Sequence, residues 1–459
     1  MSFECHHLDK WAFANLDLVE ESLEKGNKPV LLVSGASSSG KSYSTEYLMR
    51  LLNSTGHHSL ILSLDKYNVG LSRIIPNKVA LNDFDNHIDN IGKIEEIIHD
   101  IIVDVPFDKK YDHDVLEIIR GKVKSYFSDV DLDKFINGLY REWKRLNFDE
   151  PTVYDLKEAA ADVKELIKGN TITAKNYSKV VSERIPSDEM YCGKDYDVIL
   201  VEGIYALDPT LLDELEDVET IKDFVDGNPK SLFLRRIIRD AKTTSADNVF
   251  TISAYFRYIV KSYFQSIYPC REYADVILNN DMTFTEMRGG DLYTTKEEIH
   301  TFQKKAFDEI LSLSKVIEVV YQKDTFFSAE NESGLSNNIL RLRAVSKDGI
   351  HYEPTSLVHK GVAKVRRDEK IIRPINVLLK EGEFYKVWKD EGECLNDFLS
   401  AGFRIGPIKY KTKTRVTFEG RKMTLREVKD NGYYIEFTEE PTEEVKTKVK
   451  TILAKYAKK

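Results

Sequence analysis

Apolar residues recur along this chain with two different rhythms, and the change from one to the other divides it. In the first half, short continuous apolar runs alternate with stretches of helical spacing. Val30-Leu31-Leu32-Val33 reads as a buried strand, and Tyr47, Leu48, Leu51 and Leu52 then lie on one face of a helix. Ser59 to Leu64 predicts a second strand, Asp197 to Gly203 a third, Ser231 to Leu234 a fourth, and Asp275 to Leu278 the last. Between the second and third strands, Ile91, Ile94, Ile97, Ile98, Ile101 and Ile102 share one helical face. Leu132, Phe135, Ile136, Leu139 and Trp143 share another. This predicts a helical insertion over about 90–168. Residues 1–28 read as a short helix, with Trp11, Leu16, Leu18 and Leu23 as apolar points. Strand alternating with helix predicts an α/β domain over 29–282, a parallel sheet with helices on both faces.

The second half, 283–459, alternates with period two. In Leu340-Arg341-Leu342-Arg343 the leucines point one way and the arginines the other. Lys409, Lys411, Lys413 and Arg415 line one face of a single strand, and Lys364 and Arg366 repeat the theme. Like charges stacked so closely repel. A solvated sheet face tolerates them, and so does a closed antiparallel β-barrel whose cationic lumen binds a polyphosphate. The tail places Val445, Val449, Ile452 and Leu453 on one face of a C-terminal helix.

Composition narrows the chemistry. Hydrophobic content of 42% and charged content of 31% fit a globular protein. A net charge of −9 argues against a general nucleic-acid partner, so any basic site is local. The four cysteines, Cys5, Cys192, Cys270 and Cys394, are far apart and form no C-x-x-C, which fits a reducing, cytoplasmic compartment without a zinc site. No apolar stretch is long enough to span a membrane, and the N-terminus does not read as a signal peptide. His6 and His7 read as surface histidines.

Chemistry enters with Gly35-Ala36-Ser37-Ser38-Ser39-Gly40-Lys41-Ser42, which lies between the first strand and its helix. G-x-x-x-x-G-K-S in that context is a phosphate-binding loop. Its amides and the helix dipole favour an anion. Gly35, Ser37, Ser38, Ser39, Gly40, Lys41, Ser42 and Tyr43 form the candidate ATP site, with Ser42 offering an oxygen to Mg2+. Asp65 and Glu202 end the second and third strands, where parallel sheets bind ligands. Asp65 is placed to take a proton from an acceptor hydroxyl or to hold magnesium, and Glu202 to order magnesium or its water. Arg235 and Arg239 share a helical face and suit a lid over phosphates, together with Arg236.

These residues carry a family resemblance. The part over 29–282 resembles the uridine kinase and phosphoribulokinase group. Leu62 to Tyr67 looks like the strand ending in D-x-F-Y, which implies Asp65 as catalytic base. Phe84-Asp85-Asn86-His87 is similar to F-D-H-P, which implies that Asp85 holds a sugar. Tyr177 and Arg184 match the spacing of Y-D-F…H-S-R and imply substrate contacts. Asp197 to Gly203, Arg235 to Asp240 and Tyr273 to Ile277 match D-V-V-I-x-E-G, R-R-x-x-R-D and Y-A-D-V-I. Asn68, Ser182 and Lys242 to Ser245 depart from the pattern and leave the acceptor open.

The part over 283–459 resembles a CYTH domain, the triphosphate tunnel fold. Gln322 to Phe327, Leu340 to Arg343, Leu357 to Gly361, Lys413 to Arg415 and Gly432 to Glu436 look like Q-x-D-x-Y-F, L-R-L-R, L-T-x-K-G, K-x-R and G-x-F-x-E. The resemblance implies that Arg341, Arg343, Lys360, Lys413 and Arg415 hold a polyphosphate or nucleotide, with Glu436 helping to hold metal. The opening E-x-E-x-K strand is not recognisable, and Glu369 and Glu436 lack acidic companions.

The expected activity is ATP- and Mg2+-dependent phosphoryl transfer to a small-molecule hydroxyl, a nucleoside above all. Lys41, Asp65 and Arg239 would be catalytic, and an oligomer is compatible with the sequence. Two rivals stand beside it. One is a metal-dependent phosphohydrolase of pyrophosphate or tripolyphosphate. The other is a kinase regulated by a polyphosphate- or nucleotide-sensing second domain.

Overall fold

The apolar run at 30–33 becomes the centre of a six-stranded sheet. A computed structural model describes residues 3–243, 247–280, 293–296, 298–329, 339–360, 371–438 and 441–457. By packing, the chain falls into two units, 1–227 with 257–281 and 228–256 with 282–459.

The first unit is built on β1 (Phe3–Cys5), β2 (Val30–Gly35), β3 (Ser59–Ser63), β8 (Val198–Glu202), β9 (Thr220–Asp226) and β10 (Val276–Asn279). Their order is β1-β10-β9-β2-β8-β3, and every neighbouring pair is parallel. Alternation along β2 sends its side chains to opposite faces. Leu31 and Val33 pack with Trp11, Leu16 and Val19 of α1 (Leu8–Glu24) and with Leu48 and Leu52 of α2 (Lys41–Ser54). Val30 and Leu32 pack on the other side with Ala159, Val163 and Leu166 of α7 (Leu156–Ile167). Each such valine or leucine, fully buried, is worth about 1.5–3 kcal/mol. The strands' carboxyl ends thereby bring Gly35, Ser63, Glu202 and Asn280 to one edge.

Four helices interrupt this pattern: α3 (Leu71–Phe84), α4 (Ile91–Ile102), α5 (His113–Val123) and α6 (Asp129–Lys144). They enclose a core of their own, in which Ile75, Val79, Ile94, Ile98, Ile102, Ile119, Phe135 and Leu139 are buried. The insertion therefore starts at Leu71, while α7 belongs to the face of the sheet. Two short antiparallel hairpins follow. β4 (Thr171–Thr173) pairs with β7 (Met190–Cys192), and β5 (Tyr177–Ser178) pairs with β6 (Glu183–Arg184). Short helices α8 (Pro209–Glu214) and α11 (Val260–Ser262) complete the unit.

One strand expectation is corrected. Ser231 to Leu234 is not a strand but lies inside α9 (Pro229–Thr243), and the strand in that part of the sheet is β9. Pro229 suits the first turn of a helix, where its missing N–H costs nothing. The strand was concealed because its run, Thr-Ile-Lys-Asp-Phe-Val-Asp, carries charges at Lys222 and Asp223.

The second unit takes in α9 and α10 (Asn248–Ala254) and a nine-stranded antiparallel sheet. Its strands are β11 (Tyr293–Lys296), β12 (Glu298–Thr301), β13 (Lys315–Ala329), β14 (Ile339–Ser346), β15 (Glu353–Lys360), β16 (Ile371–Leu379), β17 (Phe403–Phe418), β18 (Arg421–Val428) and β19 (Gly432–Phe437). The order is β11-β16-β15-β14-β13-β17-β18-β19-β12. The two end strands are one residue apart in the chain, so Lys296 and Glu298 lie within about 7 Å and the sheet curls until its edges converge. Helices α12 (Lys304–Ser312) and α15 (Glu443–Ala457) cover Val416, Leu425 and Ile435. Beyond α13 (Phe384–Val387), α14 (Glu391–Ser400) carries Phe398, which stacks on Phe327 of β13 at 4.1 Å and meets Phe233 of α9 at 5.6 Å. Lys364, Arg366 and Glu369 lie outside the described residues. Among the described residues no helix is long and apolar enough to cross a membrane.

Asp223 lies fully buried in the middle of β9. Trp11 Nε1 and Asn15 Nδ2 each donate to its Oδ1 at 3.2 Å, which pins α1 to the sheet. Burial pushes its carboxyl up to about 8, against the pull of those two bonds. The folded state therefore keeps a proton that the unfolded chain releases near pH 4. Stability is full below that and falls as pH rises towards about 8. Asp223→Asn, which keeps an accepting oxygen and cannot ionise, is expected to flatten the fall. Melting curves from pH 4 to pH 9 check it: the variant's advantage should grow up to about pH 8 and then level off.

Candidate active site

The phosphate loop runs from the end of β2 into α2. Gly35 has φ 142°, and a Cβ there would stand 2.2 Å from the Val225 carbonyl oxygen of the adjoining strand, so only glycine fits. Gly40, at φ 102°, turns the chain into α2. Asn280, just past β10, donates from Nδ2 to the Ser39 carbonyl at 2.7 Å and ties the loop to the sheet edge. Lys41 is buried, and its ammonium donates to the Ala36 carbonyl at 2.9 Å, across the loop. Ser37, Ser38 and Ser39 fill the turn, whereas Tyr43 points outwards and is exposed.

Ser42 Oγ donates to Glu202 Oε2 at 3.3 Å, and Ser63 Oγ donates to Glu202 Oε1 at 2.7 Å. Glu202 is itself buried. A buried carboxylate beside a hydroxyl is a hard-oxygen donor set, which suits Mg2+. Ser63 is a member that the sequence reading did not single out; its position at the end of β3, in register with Glu202, was the available signal.

Asp65 sits in the single helical turn Leu64–Tyr67 that follows β3. Lys179 Nζ, from the turn of the β5–β6 hairpin, lies 2.7 Å from Asp65 Oδ2. Tyr177 is opposite Arg184 in that hairpin and is largely shielded, its hydroxyl pKa raised by burial. Arg184 faces the Asp65 turn: its Nε donates to the Asn68 carbonyl at 2.8 Å and its Nη2 to the Tyr67 carbonyl at 3.0 Å. Asp85 is not brought to this group. It caps the C-terminus of α3 and is exposed, about 20 Å along the helix from Gly70. The F-D-x-H spacing placed Asp85 beside the sugar; the length of α3 carries it away.

The arginines expected in a lid lie on α9, in the second unit. Arg235 is buried, Arg236 Nε is 3.5 Å from Asp240 Oδ2, and Arg239 Nη2 is 2.7 Å from Asp240 Oδ1.

Within the second unit, β13, β14 and β17 assemble a separate charged cluster. Asp324 is fully buried. Arg343 Nε and Nη2 donate to its two oxygens at 2.8 and 3.0 Å, Arg341 Nη1 is 3.0 Å away, and Lys411 Nζ also contacts it. Burial alone would raise the Asp324 carboxyl, but these cations hold it well below the usual range. Burial pushes the Lys411 ammonium down to about 8, against the attraction of Asp324. Among the described residues, three cations thus contact this one acid. Neither Asp324 nor Lys411 was among the expected site residues, although period two along β17 and the Q-x-D motif both marked them. Lys413 lies in register with Arg426, on the same face as Lys411. Arg415 instead pairs with Glu318 at 2.6 Å in an exposed position. Lys360 is placed by register opposite Ile339. Glu436 is buried, 3.6 Å from Arg426 Nε, and in register with both Thr424 and Glu298.

Residues 131–286 match the phosphoribulokinase / uridine kinase family, a stretch that includes Tyr177, Arg184 and Glu202 but lies downstream of the phosphate loop. A uridine kinase of Lactococcus lactis subsp. cremoris (strain MG1363) is 32% identical over 157 residues, 34% of this chain and 73% of that relative. A uridine kinase of Macrococcus caseolyticus (strain JCSC5402) is 31% identical over 139 residues, 30% of this chain and 65% of the relative. Among solved structures, one described as a possible uridine kinase from Bacillus stearothermophilus has 13% identity and a TM-score of 0.29, covering 58% of this chain and 100% of its own. The PH1819 protein from Pyrococcus horikoshii OT3 has 16% identity and a TM-score of 0.25, covering 35% of this chain and 86% of its own.

Gly35→Ala tests the loop. With its Cβ facing the Val225 carbonyl, the variant is expected to lose more than about 2 kcal/mol of stability and its ATP affinity. Thermal unfolding and ATP titration check both losses together.

Proposed function

The chain belongs to the phosphoribulokinase / uridine kinase family, and from that we propose that its first unit transfers the terminal phosphoryl group of ATP to a hydroxyl of a small molecule, a nucleoside in the first instance. The observation that carries the proposal is the convergence of the phosphate loop, the Ser42–Glu202 pair and Asp65 on the carboxyl edge of one parallel sheet. In this reading the loop amides and Lys41 hold the β- and γ-phosphates. Ser42 and Glu202 hold Mg2+, which when bound neutralises phosphate charge. Asp65 takes the proton from the acceptor hydroxyl, and Tyr177 lines the acceptor side. Arg235, Arg236 and Arg239 are the proposed lid cations. Catalysis is mostly positioning and charge neutralisation.

The test is acceptor-dependent ADP formation across a panel of nucleosides and small polyols. Lys41→Ala is expected to abolish turnover. Asp65→Asn should leave the KM for ATP unchanged and lower kcat on the order of 100-fold or more, as loss of a general base does. An Asp65→Asn enzyme that keeps most of its activity would remove Asp65 from the role of base.

We further propose that the curled sheet of the second unit is a CYTH-like tunnel that binds a polyphosphate or nucleotide and regulates the kinase. What favours this is the gathering of Arg341, Arg343 and Lys411 on Asp324. Arg341, Arg343 and Lys411 would carry the binding, with Lys360, Lys413 and Arg415 further along. Hydrolysis in this unit, with Glu436 helping to hold metal, would instead release phosphate without an acceptor, a reaction lost on Arg343→Ala and kept on Lys41→Ala. Asp324→Asn leaves the buried cations without their counter-charge and is expected to cost about 3–5 kcal/mol. Saturating tripolyphosphate should recover part of that loss, since a ligand of the folded state stabilises it by mass action. Melting curves with and without tripolyphosphate measure both effects.

A further inference from the structure

The turn that carries Asp65 buries Leu64 and Tyr67 in the core of the sheet, and polar contacts add to that support. A closed set of polar contacts holds it from below. Tyr67, two residues after Asp65, donates its hydroxyl to Asp162 Oδ2 at 2.9 Å. Lys175 Nζ bridges Asp162 at 3.4 Å and Glu158 at 3.1 Å. Glu158 Oε2 accepts from Arg184 Nη1 at 2.6 Å, and Arg184 returns to the turn through the carbonyls of Tyr67 and Asn68. Glu158 and Asp162 stand one helical turn apart on α7, whose apolar face is fixed in the core of the sheet. The guanidinium thus uses all of its edges: one nitrogen is held by a carboxylate on a fixed helix, and two hold the backbone of the catalytic turn. A lysine has no such fork.

The neighbouring residue faces the other way, as successive residues of a strand do. Glu183 is buried and accepts from Ser72 N at 2.9 Å and Ser72 Oγ at 2.8 Å, while Leu71 N donates to the Ser182 carbonyl at 3.1 Å. A carboxylate there also meets the positive end of α3. His99 Nδ1, from α4, is 3.6 Å from Glu183 Oε2. The hairpin is therefore clamped to the helical insertion on one side and to the Asp65 turn on the other.

We propose that Arg184 is a positioning residue for Asp65, acting through the carbonyls of Tyr67 and Asn68 and not as a contact to the acceptor. This rests on the reading of Asp65 as the base, and it revises the substrate role that the motif spacing gave Arg184. A turn held this way keeps its carboxylate on the acceptor hydroxyl; released, it misplaces the carboxylate while leaving the ATP loop, on the other side of β8, intact.

The experiment uses the full chain with Arg184→Gln, Arg184→Lys and Glu158→Gln. Glu158→Gln weakens the anchor without touching the turn, so it stands in if either Arg184 variant folds poorly. Amide hydrogen exchange is followed at 64–68, and acceptor kinetics are run alongside. Faster exchange at 64–68 is expected in all three, with the phosphate loop unchanged. So is a fall in kcat on the order of 100-fold for Arg184→Gln, smaller for Arg184→Lys, with both KM values within about twofold. A rise in acceptor KM at unchanged kcat would make Arg184 a substrate contact and overturn the proposal, as would unchanged exchange at 64–68. If the wild type transfers to no acceptor, the kinase reading fails on its own, and the exchange result alone decides whether Arg184 braces the turn.

Discussion

The constraint on which the phosphate loop depends is the gap between Gly35 and the Val225 carbonyl, too small for any side chain. It exists because β2 and β9 are adjacent parallel strands packed without a break, and it fixes where β2 must release the chain. Once the loop leaves at that point, Lys41 turns back across it, Ser42 falls beside Glu202, and α2 starts with its amides facing the loop. The anion site is thus a consequence of strand spacing and of two glycines with positive φ, and the helix dipole adds to it.

The proposed acceptor side obeys a different logic. Asp65 leaves the sheet after β3 and is held by residues from distant parts of the chain: Arg184 from a two-residue strand, Glu158 and Asp162 from α7, and Lys179 from a turn. The helical insertion between Asp65 and these partners has its own core and meets the hairpin through Ser72 and Glu183. The loop is thus held by sheet packing, while the Asp65 turn adds ion pairs and hydrogen bonds to the burial of Leu64 and Tyr67 in the sheet's core.

Those two kinds of support account for what could be read in the sequence. The phosphate loop, β2, β3, β8 and the isoleucine face of α4 were legible because apolar period and glycine position are local signals. β9 was not: its buried Asp223 is satisfied by Trp11 and Asn15, more than two hundred residues away, and a strand with such a residue looks polar. β1, three residues long, carries too short a pattern to show. Asp85 lies at the far end of α3, a placement that motif spacing does not contain. In the second unit the alternating arginines of β14 were evident, with Leu340 and Leu342 buried as expected. The convergence of β14 and β17 on Asp324 depends on strand register, which single strands do not contain. That α9 packs with the second unit rests on Phe233, Phe327 and Phe398, aromatic residues with no motif to mark them.

In the proposed reaction the phosphoryl group leaves ATP for a hydroxyl and not for water. Phosphorus NMR of the full chain turning over ATP in heavy-oxygen water, with a nucleoside present, tests this most directly. The expected product is a phosphomonoester of the nucleoside, free of solvent oxygen and formed in step with ADP. Inorganic phosphate carrying one solvent oxygen, with the nucleoside unchanged, would contradict it.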